Sequence, residues 1–181
     1  GVTLALSGGL FGLGDLLTQS GGLGNRWVQG WTAIWWVVAL SAALFGPHAG
    51  VVFGSAAAAV GLVRVLRRWK DSKRSVLAAG VALLARAPLW LAPPHFYGAL
   101  VYHLGLPWSW LVNESFRPTD HNLFSHFPLA GSTVFLLPVA AGVPEAAAGL
   151  HWLTFAAVLV SVVRLSTNLG AERWSWMAAL L

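Results

Sequence analysis

The amino-acid sequence predicts an all-α fold, a polytopic transmembrane helical bundle with a periplasmic loop carrying short interfacial helices, on three observations. Hydrophobic residues fill 57% of the 181 positions and charged residues 9%, whereas an ordinary soluble domain is about a quarter charged. The apolar residues form continuous runs close to the roughly 20 residues that a helix needs to cross a bilayer. Six of the eleven lysines and arginines fall between Arg64 and Arg74, directly beside those runs. A helix satisfies its own backbone hydrogen bonds in hydrocarbon, and a membrane barrel would instead need alternating segments of about ten residues. The chain reads as one transmembrane domain over 1–181, a piece of a longer bacterial polypeptide, because it starts at Gly1 without a methionine and stops inside an apolar run at Leu181.

In chain order, residues 2–18 are apolar but interrupted by Gly8, Gly9, Gly12, Gly14 and Asp15, and read as a weak span. Runs at 27–45 and 51–66 flank the breaker Gly46-Pro47-His48-Ala49-Gly50 and read as a helical hairpin. The basic cluster that follows places residues near 70 in the cytoplasm by the positive-inside rule, with the Gly46 turn outside. A span over 75–91 returns outward and ends at Pro93 and Pro94. Residues 127–142 hold too few apolar positions between Pro128, Gly131, Pro138 and Gly142 to cross, and read as re-entrant or interfacial. A span over 146–163 runs back toward Arg164 and Arg173, and a last span is cut off over 174–181. The expected location is the bacterial inner membrane, in several passes. Trp27, Trp31, Trp69, Trp90, Trp108, Trp110, Trp152, Trp174 and Trp176 lie near these span ends and read as headgroup-level anchors.

Composition also narrows the chemistry. No cysteine is present, so thiolate and disulfide chemistry are excluded. The net charge of +5 is a topology signal and not a nucleic-acid footprint, because the cations sit beside membrane spans. Polar groups concentrate on one side: four of six histidines, both tyrosines, Glu114, Arg117 and Asp120 fall between Pro93 and Pro128. His95, His103, His121 and His126 could ligate a metal or a pigment, but neither His95/His103 nor His121/His126 has the i, i+4 spacing that puts two ligands on one helix face. His151 reads as a packing residue or as an axial ligand. No cofactor follows from the sequence.

The run FYGALVYHLGLPWSWL, followed by NLFSHFPLAG, is similar to the first exterior loop of bacterial GT-C glycosyltransferases, the superfamily of the protein mannosyltransferases and the aminoarabinose transferase of lipid A. The similarity covers about residues 75–181. It implies a transferase that moves a sugar from a polyprenyl-phosphate donor to an acceptor outside the membrane, with an acidic residue of this loop as base or metal ligand. Where those relatives carry an aspartate this chain has Gly98, which holds no proton-accepting group. Glu114 and Asp120 are the stand-in catalytic candidates. Arg86, Tyr97, Tyr102, His103 and Arg117 are the candidates for substrate binding, the arginines because guanidinium matches phosphate oxygens bidentately. The expected partners are membrane lipids, a lipid-linked sugar donor and a larger membrane complex. The competing expectation is a non-enzymatic accessory subunit of a respiratory or photosynthetic assembly. A transporter fits less well, because beyond Arg86 the spans contain almost no ionisable residues.

Overall fold

The computed structural model describes residues 2–17, 23–68, 99–127 and 130–169, with isolated positions between 77 and 88. The secondary structure of these residues is entirely helical. Helices α1 (Val2–Leu17), α2 (Leu23–Phe45) and α3 (Pro47–Arg67) form the first half. A π-helical turn (Ala99–His103) leads into α4 (Gly105–Val112), and a 3-10 turn (Leu123–His126) precedes α5 (Ala130–Ala140) and α6 (Glu145–Asn168). Among the described residues, three helices are long and apolar enough to cross a membrane: Arg26–Phe45, Pro47–Arg67 and Glu145–Val163, with mean hydropathies of 1.5, 1.9 and 1.9. The expected spans over 75–91 and 174–181 fall outside the described residues.

The face each helix buries follows from its period of 3.6. On α2, Trp27, Gly30, Ile34, Val38, Ser41 and Ala42 are buried, while Val28, Trp36, Leu40, Leu44 and Phe45 are exposed. On α3 the buried residues are Pro47, Gly50, Gly54, Ala58, Gly61 and Val65. Val52, Phe53, Val60, Val63 and Leu66 face outward. Outward faces this apolar need an apolar solvent, which agrees with a lipid-embedded chain.

The glycines of α1 are not the interruptions that composition implied. A Cβ on Gly9 would strike the Ala58 backbone of α3, and one on Gly14 would strike the Arg26 backbone of α2. The contact is reciprocal: a Cβ on Gly30 would overlap the Leu10 carbonyl and one on Gly61 the Gly9 carbonyl. α1 is therefore one continuous helix of 16 residues wedged between α2 and α3 by backbone contact. Between helices in lipid, small residues are what allow such close approach.

α5 has a different environment. At 11 residues, or about 16 Å at 1.5 Å per residue, it is too short to cross a bilayer. Every residue from Ser132 to Val139 is buried, because α5 packs against α2, α3, α4 and α6. A helix buried on all sides is a core element, so its placement is internal to the bundle and not along an outer surface. Leu136 and Leu137 of α5 occupy the space in front of Gly50 and Gly54 of α3.

The two ends of α3 carry different neighbours. The Glu114 carbonyl oxygen lies 3.9 Å from where a Cβ would stand on Gly46, at the α2–α3 turn. Arg67 and Arg68 lie at the other end of the 21-residue helix, about 30 Å away. The loop after α4 and the described arginines of the basic cluster, Arg67 and Arg68, thus sit at opposite ends of one helix. Tryptophan divides likewise. Trp108 is 62% exposed, as an interfacial ring would be. Trp27 and Trp110 are instead core residues, and Trp27 Nε1 donates to Thr154 Oγ1 of α6 at 3.2 Å.

The backbone seam yields a direct expectation. Gly61→Leu places side-chain atoms on the Gly9 backbone, which no rotamer change relieves, and should destabilise the protein by about 3 kcal/mol or more. Val63→Leu, on the outward face of the same helix, should change stability by less than about 0.5 kcal/mol. Thermal unfolding in detergent, followed by tryptophan fluorescence, measures both.

Candidate functional site

The site is built on the end of α4. Ser115 N–H donates to the Trp110 carbonyl (3.1 Å) and Glu114 N–H to the Leu111 carbonyl (3.4 Å). This is the bonding pattern of a Schellman stop, with Glu114 at the left-handed position (φ 50°) that glycine usually fills. The stop turns the chain so that Phe116 meets Trp110, with ring centroids 4.5 Å apart. Trp110 Nε1 then donates to the Arg117 carbonyl at 3.1 Å. One indole thus fixes where the Arg117 backbone lies.

Beyond Arg117 the loop is tied to itself. Asn122 caps the 3-10 turn by accepting from Phe124 N–H (3.0 Å), and its side-chain amide donates to the Val101 carbonyl (2.9 Å). Ser125 Oγ accepts from Thr119 N–H (2.9 Å). The Ser125 hydroxyl has the carbonyls of Asn122 (2.6 Å) and Thr119 (3.1 Å) in reach for its single proton. Backbone groups of an irregular segment need such partners when water is limited.

Between this platform and the bundle lies a cleft of about 220 Å³, lined by Trp35 and Ala39 of α2, Trp110 of α4, Phe116, Arg117, Pro118, Ser125, Phe127 and Thr133 of α5. Four of its nine lining residues are aromatic, and Arg117, also part of the lining, is exposed. An apolar cavity with few polar groups is the usual form of a small-ligand site.

The sequence-predicted residues divide around this cleft. Arg117 lines it. Glu114 and Asp120 are exposed and are not among its lining residues; Glu114 is where α4 stops. His103 faces elsewhere, toward α5 and α6: its ring lies edge-on to Phe135 at 6.2 Å and to His151 at 6.4 Å, centroid to centroid. Ser132 Oγ stands 3.5 Å from its Nδ1. Burial, and then the neighbouring His151, hold the His103 pKa below the usual imidazole value. Arg86, Tyr97, Gly98 and His95 fall outside the described residues, and only the backbone of Tyr102 is described. Among the described residues, no three His, Asp or Glu side chains come together as a metal site.

Trp35, Ala39, Ser125, Phe127 and Thr133 also line the cleft, although the sequence did not single them out. Trp35 and Thr133 belong to apolar runs and carry no local signal. Ser125 and Phe127 lie inside the NLFSHFPLAG block, so that block does mark part of the wall.

Three outcomes follow from this geometry. Trp110→Phe removes the donor to the Arg117 carbonyl and should cost about 1–2 kcal/mol in thermal unfolding. Glu114→Gly should stabilise the fold by up to about 1 kcal/mol, since glycine takes the left-handed position without a Cβ penalty. Because its pKa is lowered on folding, His103 binds a proton more readily in the unfolded chain. Its contribution is therefore fully present above the ordinary imidazole pKa of about 6.5 and is lost as pH falls below it. Unfolding midpoints measured across that range should drop on acidification in the parent protein and less in His103→Gln.

Compared with known proteins, the chain matches no family, no curated protein and no solved structure. Its similarity to the GT-C loop accordingly rests on the residue pattern alone.

Proposed function

We propose that this chain is a GT-C-like integral membrane protein whose cleft beneath the loop after α4 holds a polyprenyl-phosphate sugar donor at the exterior face of a bacterial inner membrane. The observation that carries this reading is the pairing of an aromatic wall, made by Trp35, Trp110, Phe116 and Phe127, with Arg117 at the edge. An isoprenoid segment suits the wall, and a phosphate suits the guanidinium. The outward apolar faces of α2 and α3 supply a route for the lipid tail from the bilayer.

Transfer itself requires a base for the acceptor. Glu114 and Asp120 belong to the same loop but stand outside the cleft lining, and Gly98 occupies the aspartate position of the similar family. Those two facts favour a second reading, a non-enzymatic accessory subunit of a larger membrane complex that keeps the lipid-binding scaffold without the chemistry.

Tryptophan fluorescence separates binding from its absence, because Trp35 and Trp110 line the cleft. Titrating a short-chain polyprenyl phosphate into the detergent-solubilised protein should quench emission saturably, and Arg117→Ala should weaken binding at least about tenfold, the effect of losing one charge-assisted contact. Unsaturable quenching, or identical titrations for both proteins, would defeat the donor-binding reading. Transfer of label from a polyprenyl-phosphate sugar that disappears in Glu114→Ala or Asp120→Ala would establish an enzyme; donor binding without transfer would select the accessory subunit.

A further inference from the structure

The positive charge of this chain is gathered where α3 ends. Arg64, Arg67, Arg68, Lys70, Lys73 and Arg74 follow one another closely and share their segment with a single acid, Asp71. Cations and acids are equal in number elsewhere, so this short segment carries the whole formal net charge of +5. We propose that the basic end of α3 is a docking site for one anionic phospholipid, with its phosphate at Arg67 and the cations that follow, and an acyl chain along the outward stripe of the same helix.

The stripe carries the inference. Phe53, Ala56, Val60, Val63 and Arg67 follow one another at alternate steps of three and four positions, the spacing that keeps residues on one face of a helix. All of them are exposed, and a row of apolar side chains thus ends in a guanidinium. From Phe53 to Val63 the row runs about 15 Å at 1.5 Å per residue, the depth of one leaflet of a hydrocarbon core roughly 30 Å thick. A lipid lying there meets apolar atoms along its chain and a cation at its phosphate. The other face of α3 is taken: Gly54, Ala58, Gly61 and Val65 are buried within the bundle.

Charge specifies the class of lipid. An arginine at the end of an apolar helix lays its stem along the acyl region and brings its head to the headgroup layer. Guanidinium forms paired hydrogen bonds to phosphate oxygens, and each cation near a bilayer surface favours an anionic headgroup by about fivefold. A zwitterionic lipid offers the same phosphate without net charge, so the surplus of cations discriminates against it. Trp69 belongs to the same segment, and indole favours the same depth. The donor cleft is a separate place, since the Gly46 turn, beside the Glu114 carbonyl, stands at the other end of the 21-residue helix.

The test uses the full chain in an uncharged detergent, titrated with phosphatidylglycerol or with phosphatidylcholine of matched acyl chains and read by native mass spectrometry. One phosphatidylglycerol per chain should be retained saturably, with affinity at least about tenfold above phosphatidylcholine and falling as salt is raised. Arg67→Gln should weaken retention about fivefold, and Arg67→Gln combined with Lys70→Gln and Lys73→Gln at least about tenfold. Arg173→Gln, which removes a cation outside the cluster, should leave it unchanged. Glycerol phosphate at matched ionic strength should not displace the lipid, because it has no chain for the stripe. If the triple variant does not fold, Arg67→Gln alone, at an exposed position, carries the expectation. Equal retention of both lipids, retention unaltered in Arg67→Gln, displacement by glycerol phosphate, an equal loss in Arg173→Gln, or no saturable binding because residues 75–91 of the chain itself cover the stripe would each overturn the site.

Discussion

Direct backbone contact at glycine is the constraint on which the first half of this protein depends. Among lipid-embedded helices there is no apolar surface to withdraw from water, so association relies on dispersion between closely packed atoms and on hydrogen bonds. Gly9 and Gly14 of α1 meet the α3 and α2 backbones, and Gly30 and Gly61 return the contact. Larger residues at these positions would hold the helices apart and forfeit that dispersion. The remaining surfaces of α2 and α3, with Trp36, Leu44, Phe53 and Val60 exposed, are then free to meet lipid.

On that base the second half adds polar detail at one end of α3. Irregular backbone near a membrane must find partners within the protein, and the segment from Asn113 to Phe127 does so through Trp110, Asn122 and Ser125. The result is a fixed rim with Arg117 held by its own carbonyl and an aromatic cleft behind it. α5 closes the interior of this half, and its core position explains why so short a helix, with Pro138 inside it, is stable at all: tertiary burial supplies what length does not.

Function and fold differ in how directly these residues express them. Aromatic side chains beside an arginine are compatible with the proposed ligand, an apolar chain with an anionic head, more directly than they specify a reaction. The carboxylates that the chemistry would need stand on the exposed side of the rim, and one of them, Glu114, has a conformational task in ending α4. The histidines likewise separate by environment: His121 and His126 are exposed, whereas His103 is held between α5 and α6.

The sequence by itself determined that this chain is helical and that its runs are long and apolar enough to cross a membrane, because composition and run length depend on the solvent and on the backbone alone. It marked the α2–α3 hairpin through Gly46 and Pro47, the brevity of the 127–142 segment, and the polar loop that contains Arg117. Only the tertiary structure decided that the α1 glycines are a packing seam, that Trp27 and Trp110 are core residues, that Trp35 and Thr133 face Arg117 across a cleft, and that His103 meets His151. Each of these is a relation between residues far apart in the chain, set by which helix faces pack together. Hydropathy and local spacing carry no record of that choice, since an apolar residue facing lipid and one facing another helix look alike in a sequence.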